Sequence, residues 1–192
     1  MALKLVTGPA AEPVTVEEAR AHLRVDSTDE DAWINAAIVA VRQRAEAFLN
    51  RALVTQTWEL WLDEWPGRVL ELPLPPLASV THVKWYDQAG VEATVSSGDY
   101  LVDVISTPGR VALKSGSAWP AGELREVNGV VARFVAGYGA SGRQVPAEIK
   151  WGMLLVIADR FENRENTTQA GALLAIPTPA EMLWTPWRVK RF

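Results

Sequence analysis

The residues that could do chemistry are few, and the most conspicuous are glycines. Gly137-Tyr138-Gly139-Ala140-Ser141-Gly142 reads G-x-G-x-x-G between a strand-like run and a helix, the arrangement in which backbone N–H groups cradle a pyrophosphate. That chemistry needs the third glycine at the start of the helix and a return to a parallel strand ending in an acid. Here Pro146 opens the helix several residues later, and the chain then runs into a proline-rich tail. The glycines are better read as a flexible joint, with Gly137, Gly139 and Gly142 as hinge residues.

Metal and nucleophile chemistry fare no better. The chain has no cysteine, which removes disulfides, thiolate zinc sites, iron-sulfur clusters and a cysteine nucleophile together. The only histidines, His22 and His82, are not in a ligand spacing. Asp26, Asp29, Glu30 and Asp31 suit the positive end of a helix dipole and lack the glycine and oxygen spacing of a calcium loop. No metal and no cofactor are expected. Glu59, Asp63 and Glu64 lie among Trp58, Trp61 and Trp65, as in a carbohydrate cleft, yet strand alternation simply puts Glu59, Trp61 and Asp63 on one outward face. No serine has a G-x-S-x-G setting. Asn166-Thr167-Thr168 matches a glycosylation acceptor, which is idle without a secretory signal. The sequence therefore reads as non-catalytic.

The elements that must carry these residues follow from capping and periodicity. Thr15-Val16-Glu17-Glu18 forms a capping box that starts a short helix to about Arg24. Ser27 or Thr28 caps a second helix, along which Ile34, Ala37, Ile38, Val41, Ala45, Phe48 and Leu49 recur at helical spacing. From Thr55 the period falls to two. Strand-like runs continue at Val69 to Leu72, Ser79 to Tyr86, Val91 to Ser96, Tyr100 to Ile105, Arg110 to Lys114 and Val127 to Ala136, as an antiparallel sheet or small sandwich requires. Pro146 opens a third helix to about Arg164. Its apolar residues fall on two faces. Ile149, Met153, Ile157 and Phe161 share one, and Trp151, Leu155 and Ala158 share the other, which must meet either the sheet or a neighbouring subunit.

Beyond Asn166, Pro177, Pro179 and Pro186 forbid a long helix, yet Leu173, Leu174, Ile176, Met182, Leu183, Trp184, Trp187, Val189 and Phe192 are too apolar for a solvated tail. The segment docks either on its own body or on a partner. The expected class is α+β: a small helical bundle of two N-terminal helices and one late helix, an inserted antiparallel β-sheet or small β-sandwich, and an extended C-terminal tail. The corresponding parts are residues 1–54, 55–137, 138–165 and 166–192.

Composition narrows the functional classes. With 48% hydrophobic and 22% charged residues in 192, the chain can bury a proper core and is not disordered. Nine tryptophans are a large excess, and such side chains serve cores and interfaces between chains alike. A net charge of −4 argues against a general nucleic-acid binder. The charge is also polarised: seven acids and two bases lie between Glu12 and Asp31, whereas Arg188, Lys190 and Arg191 crowd the end without an acid. That polarity suits oriented stacking of subunits or partners. Met1 to Pro13 lacks the pattern of a signal peptide, and the longest apolar run, Trp151 to Ala158, is too short to span a bilayer, so synthesis in the cytoplasm and no membrane are expected.

Taken in order, these pieces resemble the head-to-tail connector (adaptor, head-completion) proteins of long-tailed phages and gene transfer agents. The resemblance begins with Val14-Thr15-Val16-Glu17-Glu18-Ala19-Arg20-Ala21-His22-Leu23-Arg24-Val25 and Asp29-Glu30-Asp31. It continues through Leu72-Pro73-Leu74-Pro75-Pro76-Leu77-Ala78-Ser79-Val80, Trp85-Tyr86-Asp87, Phe134-Val135-Ala136-Gly137-Tyr138-Gly139 and Val145-Pro146-Ala147-Glu148-Ile149-Lys150. It closes with Glu162-Asn163-Arg164-Glu165 and Pro179-Ala180-Glu181-Met182-Leu183-Trp184-Thr185-Pro186-Trp187-Arg188-Val189. Trp187 departs from it, since similar proteins often carry Tyr there, and Lys190-Arg191-Phe192 is an extension.

The resemblance implies a structural protein of the virion neck, made in the host bacterial cytoplasm. It further implies a homo-oligomeric ring, usually of about twelve subunits, that joins the portal protein to a tail-side neck or stopper protein. DNA would pass through the channel without sequence-specific binding. On this reading Leu183, Trp184, Pro186, Trp187, Arg188, Lys190 and Arg191 dock the portal, and Trp151, Leu155 and Ala158 meet the neighbouring subunit. The rival reading is a monomeric β-rich ligand-binding module with a tryptophan platform.

Overall fold

The computed structural model describes residues 1–163 and 176–190. The chain opens with a strand that the sequence reading missed, β1 (Ala2–Thr7). Helix α1 (Val16–Leu23) starts as expected: Thr15 Oγ1 accepts from Glu18 N at 3.1 Å, and Thr15 N donates to Glu18 Oε2 at 2.9 Å. The helix stops where Arg24 turns left-handed. Helix α2 (Asp31–Leu49) begins later than either Ser27 or Thr28 would place it. Ser27 Oγ is occupied with Asp29 N at 3.0 Å, a local turn, so Glu30 sits at the N-cap without a side-chain cap bond. The expected stripe of α2 is buried at Ile34, Ala37, Ile38, Val41, Ala45 and Leu49.

Seven further strands follow: β2 (Gln56–Leu62), β3 (Val69–Leu72), β4 (Leu77–Tyr86), β5 (Glu92–Thr94), β6 (Tyr100–Asp103), β7 (Gly109–Leu113) and β8 (Val130–Ala136). All pairings are antiparallel, in one sheet ordered β1-β2-β8-β4-β5 and another ordered β3-β7-β6. Alternation along each strand sends Leu60, Leu70, Leu72, Val83, Val111, Val130 and Phe134 into one shared core. The fold is α+β. Because β1 pairs with β2, residues 1–54 are not purely helical: their first strand completes the sheet.

Helix α3 (Ala147–Glu162) has Pro146 at its N-cap and buries Ile149, Gly152, Met153, Val156 and Ile157. A second core forms where α3 meets α1 and α2. Into it also packs a helix the sequence reading did not foresee, α4 (Thr178–Trp184), followed by a 3₁₀ turn over Thr185–Trp187. The prolines do not keep this segment extended. Pro177 is the N-cap and Pro179 lies in the first turn, positions where the missing N–H costs nothing and the fixed φ favours the helix.

Gly152 is the position on which α3 and α4 register. A Cβ placed there would lie 2.2 Å from Trp184 Nε1. Ordinarily Gly→Ala in a helix gains about 1 kcal/mol. Here Gly152→Ala is expected to lower the unfolding free energy by about 1–3 kcal/mol, since the indole has to move out of a filled site. Denaturant unfolding of the variant reads the sign directly, and a gain in stability would show that the indole yields easily.

Candidate docking surfaces

The C-terminal segment is strapped onto its own body. Trp184 is fully buried, and its Nε1 donates to the Ile149 carbonyl at 3.0 Å. Leu183 and Trp187 are half-buried against the helical core, and Trp187 Nε1 donates to Glu148 Oε2 at 2.6 Å. The strand-like end then crosses the C-terminus of α2. Arg51 Nε donates to the Trp187 carbonyl at 2.6 Å, Asn50 Nδ2 to the Val189 carbonyl at 2.8 Å, and Val189 N to the Leu49 carbonyl at 2.9 Å. The last of these bonds satisfies a carbonyl that the C-terminal end of α2 leaves open. Arg188 lays its guanidinium over Phe48 at 4.9 Å from the ring centroid.

Of the seven residues assigned by resemblance to portal docking, Trp184 is therefore a core residue, and its burial corrects the expectation that it reaches a partner. Leu183 and Trp187 turn their rings and methyls largely inward. Pro186, Arg188 and Lys190 are exposed, and so is Met182, which the sequence reading had not assigned. Arg191 lies outside the described residues, as do Leu173, Leu174 and Phe192.

The three residues expected at a subunit interface divide in the same way. Trp151 is 53% exposed, with its indole edge-on to the His22 ring at 5.5 Å. Leu155 and Ala158 are half-buried, and Leu155 packs against the chain's own helical core. The second face of α3 is thus partly covered from within, by α1 near Trp151.

The joint is fastened rather than hinged. Gly137 N donates to the Pro76 carbonyl at 2.9 Å, Tyr138 N to Leu53 at 3.0 Å, and Thr55 N to Gly139 at 2.9 Å. Gly137 and Gly139 have φ of 127° and 156°, which favour glycine. A Cβ on Gly137 would meet Val54 backbone at 2.6 Å, and one on Gly142 the Pro13 carbonyl at 2.3 Å. Close approach of backbones explains these glycines, and the stitching leaves little freedom for the hinge motion expected of Gly137, Gly139 and Gly142.

On the outer face of the larger sheet the carboxylate-tryptophan cluster resolves into an ion-pair ladder. Glu59 faces Arg133 across the β2–β8 pairing and is bonded by it, with Trp61 Nε1 at 3.2 Å and Lys4 Nζ at 3.9 Å. Burial pushes the Glu59 carboxyl up, but hydrogen bonds from Arg133 and Trp61 and the charges of Arg133 and Lys4 outweigh it and leave it lowered. Asp63 accepts from Asn128 N at 2.8 Å and pairs with the Met1 amino group at 3.8 Å, and with Glu64 and Glu126 it lines a separate recess beside Trp65. Trp61 stacks on Tyr86 at 6.0 Å, and Arg125 lies 4.1 Å from the Tyr86 ring centroid. Of nine tryptophans only Trp151 is exposed, so no tryptophan platform is presented. Among the described residues no group of three or more His, Asp and Glu is placed to hold a metal ion, and no helix is long and apolar enough to cross a membrane.

If the tail is core, its loss is structural. Trp184→Ala is expected to cost about 3–5 kcal/mol, the range for emptying a buried aromatic site, whereas Arg188→Ala should stay within about 1 kcal/mol. Removing residues 176–192 is expected to melt the helical core, visible as lost helical circular dichroism and fast proteolysis. A truncated protein that unfolds at the parental temperature would show the strap to be dispensable.

Residues 13–106 match the family model of the phage gp6-like head-tail connector protein. No curated protein matches the chain. Three solved structures are similar to it over its whole length. A chain in the neck of an empty gene transfer agent particle, computed with C6 symmetry, has a TM-score of 0.83 and 28% identity, with 100% of this chain and 97% of that one covered. A chain in the virion of a native gene transfer agent particle has a TM-score of 0.77 at 27% identity and the same coverage of 100% and 97%. A chain in the neck of a native particle, computed with C12 symmetry, has a TM-score of 0.75 at 28% identity, again covering 100% and 97%. The fold, the family match over residues 13–106 and the full-length likeness to neck chains agree, and together they support a phage head-tail connector protein.

Proposed function

We propose that this chain is a structural, non-catalytic subunit of a virion neck. Copies of it close into a ring of about twelve that joins a portal protein to a tail-side neck or stopper protein and leaves a channel through which DNA passes. The observation that carries this reading is the likeness, at 28% identity over 100% of the chain, to a chain built into a particle neck with C12 symmetry. A net charge of −4 fits a DNA conduit, because carboxylates repeated around a channel repel phosphate and discourage sticking.

The ring forms conditionally, at high concentration or on the portal. The isolated chain already satisfies its own core, so a neighbour adds contacts rather than completing a fold. Portal docking falls to the exposed side of the strap, Met182, Pro186, Arg188 and Lys190, with Arg191 following. Being anchored by Trp184 and Asn50, this surface loses little conformational entropy on binding. The basic groups steer it toward an acidic partner surface, an effect that salt screens.

Two measurements test this. Electron micrographs of the concentrated protein, or of the protein mixed with portal, are expected to show closed rings, and a chain that stays monomeric under both conditions would overturn the ring reading. Replacing Arg188 and Lys190 by Glu should weaken portal binding by about tenfold or more at low salt while changing the unfolding free energy by no more than about 1 kcal/mol. Undiminished binding would remove the strap from the portal interface.

A further inference from the structure

Exposed apolar residues are spread over this chain, Val91, Val127, Trp151 and Met182 among them, but they gather at one protrusion and beside one recess. The protrusion is the hairpin of β6 and β7. β6 is the outer strand of its sheet, and Leu101, Val102, Val104 and Ile105 are exposed by 59%, 39%, 45% and 92%. Scattered apolar residues at a surface need no explanation, but four on one hairpin do. The hairpin tip is also held in shape. Both oxygens of Asp103 are engaged, by Ile105 N at 3.0 Å, Ser106 N at 3.1 Å, Ser106 Oγ at 2.6 Å and Arg110 Nε at 2.9 Å. These bonds, those from Ser106 foremost, hold the Asp103 carboxyl far below the usual carboxylate range. A tip fixed in this way presents Ile105 at little entropic cost to an acceptor.

The recess lies between the outer strand of the other sheet and α2. Leu3 and Leu5 of β1, Trp58 of β2, Ala47 and Leu74, together with polar groups of α2 and its end such as Gln43, Asn50 and Arg51, line a groove of about 360 Å³, within the usual size range of a binding recess, about 300–1,000 Å³. Ala47 leaves room where a longer side chain would close it. A cyclic ring of more than two copies of one chain is heterologous: each copy must offer two different faces that fit each other, so that the contact repeats around the axis until it closes. A rigid apolar knob and a groove with an apolar side formed by Leu3, Leu5, Trp58 and Leu74 are such a pair on one chain. The full-length similar chains occur in necks computed with C6 and C12 symmetry, which supplies the repeated copy.

We infer that the Val104–Ile105 tip of one subunit seats in the groove of Leu3, Leu5, Ala47, Trp58 and Leu74 of the next. The occupant is thus a second copy of this chain, and the inference rests on the ring reading above. It assigns the subunit contact to aliphatic surfaces of the sheets, away from the α3 face of Trp151, Leu155 and Ala158.

The absence of cysteine from the chain makes the test clean, because any disulfide must form between introduced residues. Ile105→Cys and Ala47→Cys are made separately and mixed as full-length proteins under ring-forming conditions with mild oxidant. Disulfide-linked dimers are expected in the mixture, and a ladder of higher multimers in the double variant. Gln88→Cys, on an exposed turn, replaces Ala47→Cys as the control and should not link. Ile105→Asp should weaken ring formation by about tenfold with no change in unfolding midpoint, since the side chain is 92% exposed. Rings that form normally while Ile105→Cys links no better to Ala47→Cys than to Gln88→Cys overturn this contact and leave the ring standing. A parental chain that forms no ring overturns both.

Discussion

One indole holds the helical half together. Trp184 fills the space that Gly152 leaves on α3 and hydrogen-bonds to the carbonyl of Ile149 one turn earlier. The indole needs both a vacancy and a polar partner, because a buried N–H without one costs about 1–3 kcal/mol. With Trp184 seated, α4 lies against α3, and the residues after it reach the end of α2. Bonds from Asn50 and Arg51, and the bond from Val189 N to the Leu49 carbonyl, then follow from that placement. The strap thereby ties the last element of the chain to a helix more than a hundred positions earlier, and a segment rich in proline and aromatics becomes part of a core.

The two cores are joined by a second constraint, a buried polar knot. Arg42 is 7% exposed and bridges Glu12 at 2.7 Å and Glu46 at 2.8 Å. Glu46 in turn accepts from Leu53 N at 3.0 Å and from the Gln56 amide, so α2 is clamped to the start of β2. Burial raises the Glu12 carboxyl, with Arg42 opposing. A knot of this kind adds little net stability over an apolar substitute but is costly to leave half-made. Together with the backbone bonds at Gly137, Tyr138 and Gly139, it sets the angle between helices and sheets and argues for a subunit that enters an assembly already shaped.

What could be read from the sequence was whatever local physics decides. The capping box at Thr15 and Glu18 is four residues long and self-contained, and the α2 stripe repeats for enough turns to be unambiguous. The strands from Gln56 to Ala136 announced themselves by alternation and turn residues. β1 did carry a period-two signal in Leu3 and Leu5 about Lys4, but it is exposed along its length and owes its order to pairing with β2, which no window of sequence reveals. α4 was hidden for the opposite reason. Its prolines were weighed as breakers when two of them occupy the start of a helix, and its stability comes from a tryptophan whose receptacle is a glycine in another helix. The glycines at 137, 139 and 142 were legible as special, but the reason, backbones too close for a Cβ, is tertiary.

The distribution of aromatic surface has a consequence for assembly. A tryptophan excess can signify interface or core, and in this chain it is spent internally: Trp184 in the helical core, Trp65 stacked on Trp119 at 4.9 Å, Trp61 on Tyr86, and Trp33 against Phe161 at 5.4 Å. Internal aromatic packing makes the subunit stiff without leaving large sticky faces, so the free chain is not driven to associate indiscriminately. The apolar groups left outside are mainly aliphatic and lie on strands and a hairpin, where each copy can present them in fixed register. Contacts of that kind are individually weak, and repeated around a closed ring each copy makes two of them, so that losing one subunit breaks two contacts at once. Closure can therefore supply the persistence that no single interface need have, which is the property required of a neck that assembles only when its neighbours are in place.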